Sequence, residues 1–104
     1  MILTNIESVP GREILRQLGL VNGSTVRAKH LGRDMLSGLK NLVGGELVAY
    51  TELMQEAREE ATSRMIEQAR KLQADAVVNV RYSTSSVAQG AAEIYVYGTA
   101  VQLR

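Results

Sequence analysis

His30 is the single imidazole in the chain, and no cysteine accompanies it. A zinc or copper site needs several His, Cys or carboxylate groups converging on one point. Lys29 adjoins His30, and Arg27 and Arg33 are close in sequence; these cations oppose metal binding. His30 is therefore the weak candidate ligand, and its ordinary reading is a surface residue at a helix start. Glu52, Glu56, Glu59 and Glu60 offer oxygen ligands on one helical stretch, but a solvated acidic face has the same pattern. Thiolate sites, disulfides and cysteine nucleophiles are excluded. The serines cluster in "STSS" at 83–86, with no G-x-S-x-G elbow and no second histidine to act as base. A polar pocket built from Arg33, Asp34 and Tyr50 would be the route to an enzyme.

The stretch "NLVGGELVAYTE" at 41–52 places Gly44 and Gly45 between two helical patterns. A phosphate loop needs G-x-G-x-x-G after a strand, or a glycine loop ending in Lys-Ser/Thr. Neither is present. The helix start after the pair could hold an anion. Glu46 already complements the dipole there and would repel a phosphate. Gly44-Gly45 thus reads as a helix break that reverses the chain, with hinging as the secondary reading.

The totals bound the rest. A chain of 104 residues makes one domain, 1–104. Four tyrosines, with no Phe or Trp, leave the core to Leu, Val, Ile, Ala and Met. A core so limited favours self-association, which buries a second surface. Twelve basic and eleven acidic residues give a net charge of +1, so no global field attracts nucleic acid or anionic lipid. No apolar run approaches the ~18 residues of a membrane span. "MILTNIESVPG" lacks the basic and long apolar regions of a signal peptide. A soluble, cytoplasmic protein with no cofactor is the expectation.

The elements follow from periodicity. Residues 2–4 read as a short edge strand closed by Pro10-Gly11. "REILRQLGLVNGSTVRAK" has both helical and strand features; Gly19 and Asn22-Gly23 tip it to strand, with a turn or bulge at Asn22-Gly23. Leu31, Met35, Leu39 and Leu42 have helical spacing. Gly32 and Gly38 weaken that short helix by about 1 kcal/mol each. The long helix is expected over 47–73, with Tyr50, Met54, Ala57, Ala61, Met65, Ala69 and Leu72 on one face. Glu60–Arg64 and Glu67–Lys71 are i,i+4 pairs in the favourable order.

"ADAVVNVRYS" alternates as a strand, with Ala76, Val78, Val80 and Tyr82 on one face and Asn79, Arg81 and Ser83 on the other. "STSSVAQGAA" is polar and reads as a flexible hairpin connection. The last strand, "EIYVYGTAVQLR", is apolar on both faces. One helix covers one face only, and a partner subunit is the simplest cover for the other. Charge is also uneven. Arg27, Lys29, Arg33 and Lys40 face only Asp34 over 27–40, while Glu46, Glu52, Glu56, Glu59 and Glu60 face only Arg58 over 46–60. The two stretches could dock, within a chain or between chains.

The order "RDMLSGLKNLVGGELVAYTELMQEARE", "ARKLQADAVVNV" and "YGTAV" resembles the YbjQ-like family of small bacterial and archaeal proteins, often labelled heavy-metal-binding. The likeness covers essentially the whole chain, through Arg33-Asp34, Val43-Gly44-Gly45, Ala49-Tyr50, Ala57-Arg58-Glu59, Ala74 to Val78 and Gly98 to Val101. It implies an α+β fold, YbjQ-like or dodecin-like: a small, mainly antiparallel sheet covered by one long and one shorter helix. It also implies a ring-shaped homo-oligomer, a pentamer, and no established reaction. Gln73 and Asn79 stand where the family commonly has Gly. The leading expectation is a non-enzymatic homo-oligomer that binds a small ligand at subunit interfaces, without nucleic acid or membrane partners. Ligand or interface candidates are Arg33, Asp34, Gly44, Gly45, Glu46, Tyr50 and Arg58; no catalytic residue is assigned. A carboxylate metal protein, with or without His30, is the alternative, and an enzyme with an inter-subunit site the second.

Overall fold

The computed structural model describes residues 1–28, 48–88 and 91–104. Strands β1 (Ile2–Leu3), β2 (Ile14–Ala28), β3 (Ala76–Ala88) and β4 (Ala91–Leu103) form one sheet, and helix α1 (Val48–Lys71) packs on it. The strand order is β1-β3-β4-β2. β1 is parallel to β3, and the other pairings are antiparallel. The expected short helix over 31–43 lies outside the described residues.

α1 is held by a stripe at four-residue steps: Ala57, Ala61, Met65 and Ala69 are fully buried. They pack with Val21, Val77, Ile94, Val96 and Ala100 of the sheet. Alanines make this face shallow, so the helix backbone comes close to β2. Gly23 marks the closest approach. A Cβ placed there would overlap the Ala61 carbonyl oxygen and lie 2.7 Å from the Met65 nitrogen. This corrects the expected turn or bulge at Asn22-Gly23, because the β2–β4 register runs through both residues without a shift. The irregularities fall earlier, between Ile14 and Arg16 and between Gln17 and Gly19, where Gly19 has φ 114°.

The helix end follows its hydrogen bonds. Gln73 N–H donates to the Arg70 carbonyl at 2.9 Å, and Ala74 N–H donates to the Ala69 carbonyl at 3.1 Å. This pair of bonds is the Schellman closure, which needs a left-handed residue at the first position past the cap. Gln73 is that residue, with φ 62°, as its place before "ADAVV" leads one to expect. A side chain in this conformation costs roughly 1–2 kcal/mol, which Gly avoids. Gly also raises the entropy of the unfolded chain, by about 0.4–1 kcal/mol. Gln73→Gly is therefore expected to stabilise the fold by up to about 1 kcal/mol. Chemical denaturation checks the sign, and a lowered midpoint would refute the balance struck here.

A second left-handed residue, Asn79 at φ 54°, interrupts β3. Pairing with β4 shifts between Val78 and Arg81. The bulge inverts the alternation expected for this strand. Val77 and Val80 face α1, whereas Ala76 and Val78 face the other side. Tyr82 stays with Val80, on the helix side, and not with Val78. The expected flexible connection from Ser83 is corrected as well. β3 continues as strand to Ala88, paired with β4, although all its residues from Arg81 on are exposed. Ser and Thr there satisfy a ribbon that meets water on both faces.

β4 has the two apolar faces expected. On the face away from α1, Val101 and Leu103 join Ala76, Val78 and Val9 in a second small core, with Ile14 against it. Part of the cover expected from a partner thus comes from the chain's own N-terminal segment. That segment is tied to β3 by Thr4 N–H to the Val77 carbonyl and Asn79 N–H to the Ile6 carbonyl. The rest of this face carries Leu20, Val26 and Tyr97, all exposed, with the Tyr95 and Tyr97 rings stacked 5.5 Å apart.

Candidate functional site

Most residues singled out from sequence cannot be placed. His30, Arg33, Asp34, Gly44, Gly45 and Glu46 lie outside the described residues, and Tyr50 is described only as part of the α1 backbone. Arg58 is placed on the exposed side of α1, where it lines a groove between α1 and β3.

The groove exists because α1 is displaced towards β2. Gly23 draws the helix axis over β2, and the helix-side face of β3 beyond Val80 is left uncovered. The resulting space is about 590 Å³. Its walls are Tyr82 of β3 and, along α1, Arg58, Glu59, Thr62, Ile66 and Arg70. These helix residues recur at three- and four-residue steps, so they form one stripe beside the buried alanines.

The hydroxyls in this groove have a fixed direction. Thr62 Oγ1 lies 2.7 Å from the Arg58 carbonyl oxygen and 2.7 Å from the Tyr82 hydroxyl. A carbonyl can only accept, so the one Thr62 proton goes to Arg58. Tyr82 must then donate to Thr62 Oγ1. The phenol is thereby anchored to the helix, and its remaining lone pairs and half-exposed ring face the groove. Sequence reasoning missed this pair because it placed Tyr82 in phase with Val78. The available signal was Asn79, an outlier in a strand pattern and a residue that tolerates the left-handed conformation.

Charge around the groove is unbalanced. Among the described residues the ion pairs are Arg27–Glu60, Arg64–Glu60 at 2.6 Å and Arg104–Glu13 at 3.6 Å. The expected Glu60–Arg64 pair therefore forms, and Glu67–Lys71 does not. Arg58 and Arg70 have no carboxylate partner among these residues. Arg27–Glu60 is one contact of the kind expected between the basic and acidic stretches; most of the basic stretch lies outside the described residues. The same pair turns Glu60 towards β2 and away from the other acidic residues. Glu52 and Glu56 line a shallow depression of about 230 Å³ that adjoins the groove and shares Gln55 and Glu59 with it. No group of three His, Cys, Asp or Glu able to hold a metal ion occurs among the described residues. No described helix is long and apolar enough to cross a membrane.

The family model for YbjQ, described as "Putative heavy-metal-binding", matches residues 1–104. The chain belongs to the YbjQ family. A UPF0145 protein of Hahella chejuensis is 64% identical over 101 residues, covering 97% of each chain. One from Archaeoglobus fulgidus is 60% identical over 104 residues, covering 100% of this chain and 96% of its own. A crystal structure of a DUF74-family protein of unknown function from Pediococcus pentosaceus superposes with a TM-score of 0.63 at 17% identity. The superposition covers 100% of this chain and 98% of that one. That likeness shows a shared fold alone. The α+β class read from the sequence is that of the structure itself, and YbjQ membership carries no reaction with it.

Proposed function

We propose that the chain is a non-enzymatic, homo-oligomeric α+β module, assembled as a ring, that binds a small ligand at its subunit interfaces. The observation that carries this reading is the uncovered part of the sheet. Leu20 is 76% exposed and Val26 56% exposed, beside the stacked Tyr95 and Tyr97. β2 is an edge strand, and among the described residues its outer edge is met only in places: Asn22 N–H donates to Gln68 and the Ser24 carbonyl accepts from Arg64. Among the described residues β3 beyond Tyr82 offers a second edge, since the backbone bonds of the N-terminal segment to β3 reach no further than Val80. A long edge beside an apolar patch is stable in water when another chain covers it. A heterologous contact of one edge with the other closes into a ring. Five subunits is the number that the family resemblance implies for this proposal.

The test is native mass. Sedimentation or native mass spectrometry at micromolar concentration is expected to show one species containing several 11.4 kDa chains. Leu20→Lys is expected to shift the population to smaller species, since it buries an unpaired charge at the contact. A monodisperse monomer of the unsubstituted protein would refute the reading.

A further inference from the structure

We propose that copies of this chain dock with one polarity: the cationic rim that α1 forms along β2 meets the acidic depression on the β3 side of the next copy's α1. This rests on the ring reading above, and names the surfaces that meet and what sets their direction.

The two flanks of α1 differ in charge. On the β2 flank, Gln68 accepts from the Asn22 N–H and Arg64 donates to the Ser24 carbonyl, so both reach over the outer edge of β2. Arg27 and Arg64 share a single carboxylate there, Glu60, and the rim is left cationic. The Arg64 side chain is 56% exposed at that edge, open to a further partner. On the other flank, Glu52, Glu56 and Glu59 line one depression, and none of them has an ion-pair partner among the described residues. The depression shares Gln55 and Glu59 with the groove beside Tyr82, which places it on the β3 side of the helix. Arg58 is the cation next to it, one guanidinium against three carboxylates.

Charge decides which flanks can meet. β2 against β2 sets rim on rim, and β3 against β3 sets depression on depression. Both are two-fold contacts that bring like charges together. β2 against β3 brings opposite charges together and is head-to-tail, so it continues from copy to copy until a ring closes. Repulsion in the wrong arrangements selects the ring as much as attraction in the right one. The backbone agrees, because β2 and β3 offer their free edges on opposite sides of one sheet. So does the spacing. Copies related by a ring axis stand at one level along it. With neighbouring helices side by side along that axis, Glu59 and Arg64 are offset by five residues, about 7.5 Å. Two long side chains span that distance.

Sedimentation and native mass spectrometry on charge-reversed variants of the full chain test the proposal. Glu56→Arg with Glu59→Arg reverses the depression at two exposed positions. Arg64→Glu reverses the rim, and Arg64→Gln removes its charge while keeping a long polar side chain. Each reversal is expected to raise the concentration needed for assembly at least about tenfold, and Arg64→Gln about threefold. All three reversals in one chain restore opposite signs across the contact, and are expected to return assembly to within about threefold of the parent. The two reversed proteins, mixed in equal amounts, are expected to form species containing both, since each rim then finds a depression of opposite charge. Assembly of the parent is expected to weaken as salt rises from about 0.05 to 0.5 M. Circular dichroism on every variant distinguishes loss of contact from loss of fold. A folded Glu56→Arg, Glu59→Arg protein that assembles like the parent would overturn the proposal and leave the ring reading standing. So would a triple variant that assembles no better than the single-sided reversals. A monomeric parent would overturn both.

Discussion

Gly23→Ala is expected to destabilise the protein by about 3 kcal/mol or more, the upper part of the range for overpacking. The added methyl meets backbone, not side chain: it overlaps the Ala61 carbonyl oxygen and sits 2.7 Å from the Met65 nitrogen. No rotamer change can relieve that contact. The helix must lift from β2, and Ala57, Ala61 and Ala69 then lose contact with the sheet together. Alanines have no spare length with which to refill the gap. Urea denaturation at one fixed protein concentration checks the value, since stability of an assembly depends on concentration. Asn22→Ala, one residue away on the other face, is the control and is expected to cost far less. A Gly23→Ala protein within about 1 kcal/mol of the parent would refute the close helix–strand approach.

Gly98→Ala is expected to cost about 2 kcal/mol for a different reason, and the difference can be measured. Its Cβ would lie 2.6 Å from Val77 Cγ1, 3.0 Å from the Val78 carbonyl oxygen and 3.4 Å from Val80 Cγ2. The worst contact is now a side chain that can be trimmed. Val77→Ala alone destabilises by leaving a cavity. Combined, the two changes are expected to fill and empty the same space, so the double variant should be more stable than the sum predicts by about 1 kcal/mol. Strict additivity would show that the Val77 contact is not the source of the cost. The corresponding pair at Gly23 and Met65 is not expected to show this rescue, because the atoms in conflict there are backbone.

How far the sequence could be read depended on what each element asks of its residues. The end of α1 was legible to within two residues, 73 expected against Lys71, because its apolar stripe, its ion pair and its left-handed stop all point one way. β4 was legible because its two faces could be counted. β3 was misread in two places for opposite reasons. Asn79 hides a bulge inside an apparently regular alternation, and one left-handed residue reverses the sides of everything before it. Beyond Tyr82, polarity was taken for a loop, yet a ribbon exposed on both faces has no reason to be apolar. Gly23 was read as a turn because glycine has two uses, conformational freedom and absence of bulk, and sequence does not separate them. Of the candidate residues that the structure describes, Arg58 belongs to the groove. Its companions Thr62 and Tyr82 sit on different elements, and no spacing along the chain announces their contact.

The strand order also dictates when the molecule can be assembled. β4 lies between β3 and β2, so the central strand of the main sheet is the last one synthesised. Ile14 at the start of β2 pairs with Leu103 at the end of β4. A nascent chain that has finished β2, α1 and β3 therefore holds two strands with nothing between them, and its helix has only part of a surface to lie on. Loop closure over such a separation must be met before the contacts that reward it can form. Closure of the sheet is accordingly expected to follow synthesis of β4, with the β4-facing edges of β2 and β3 unpaired until then.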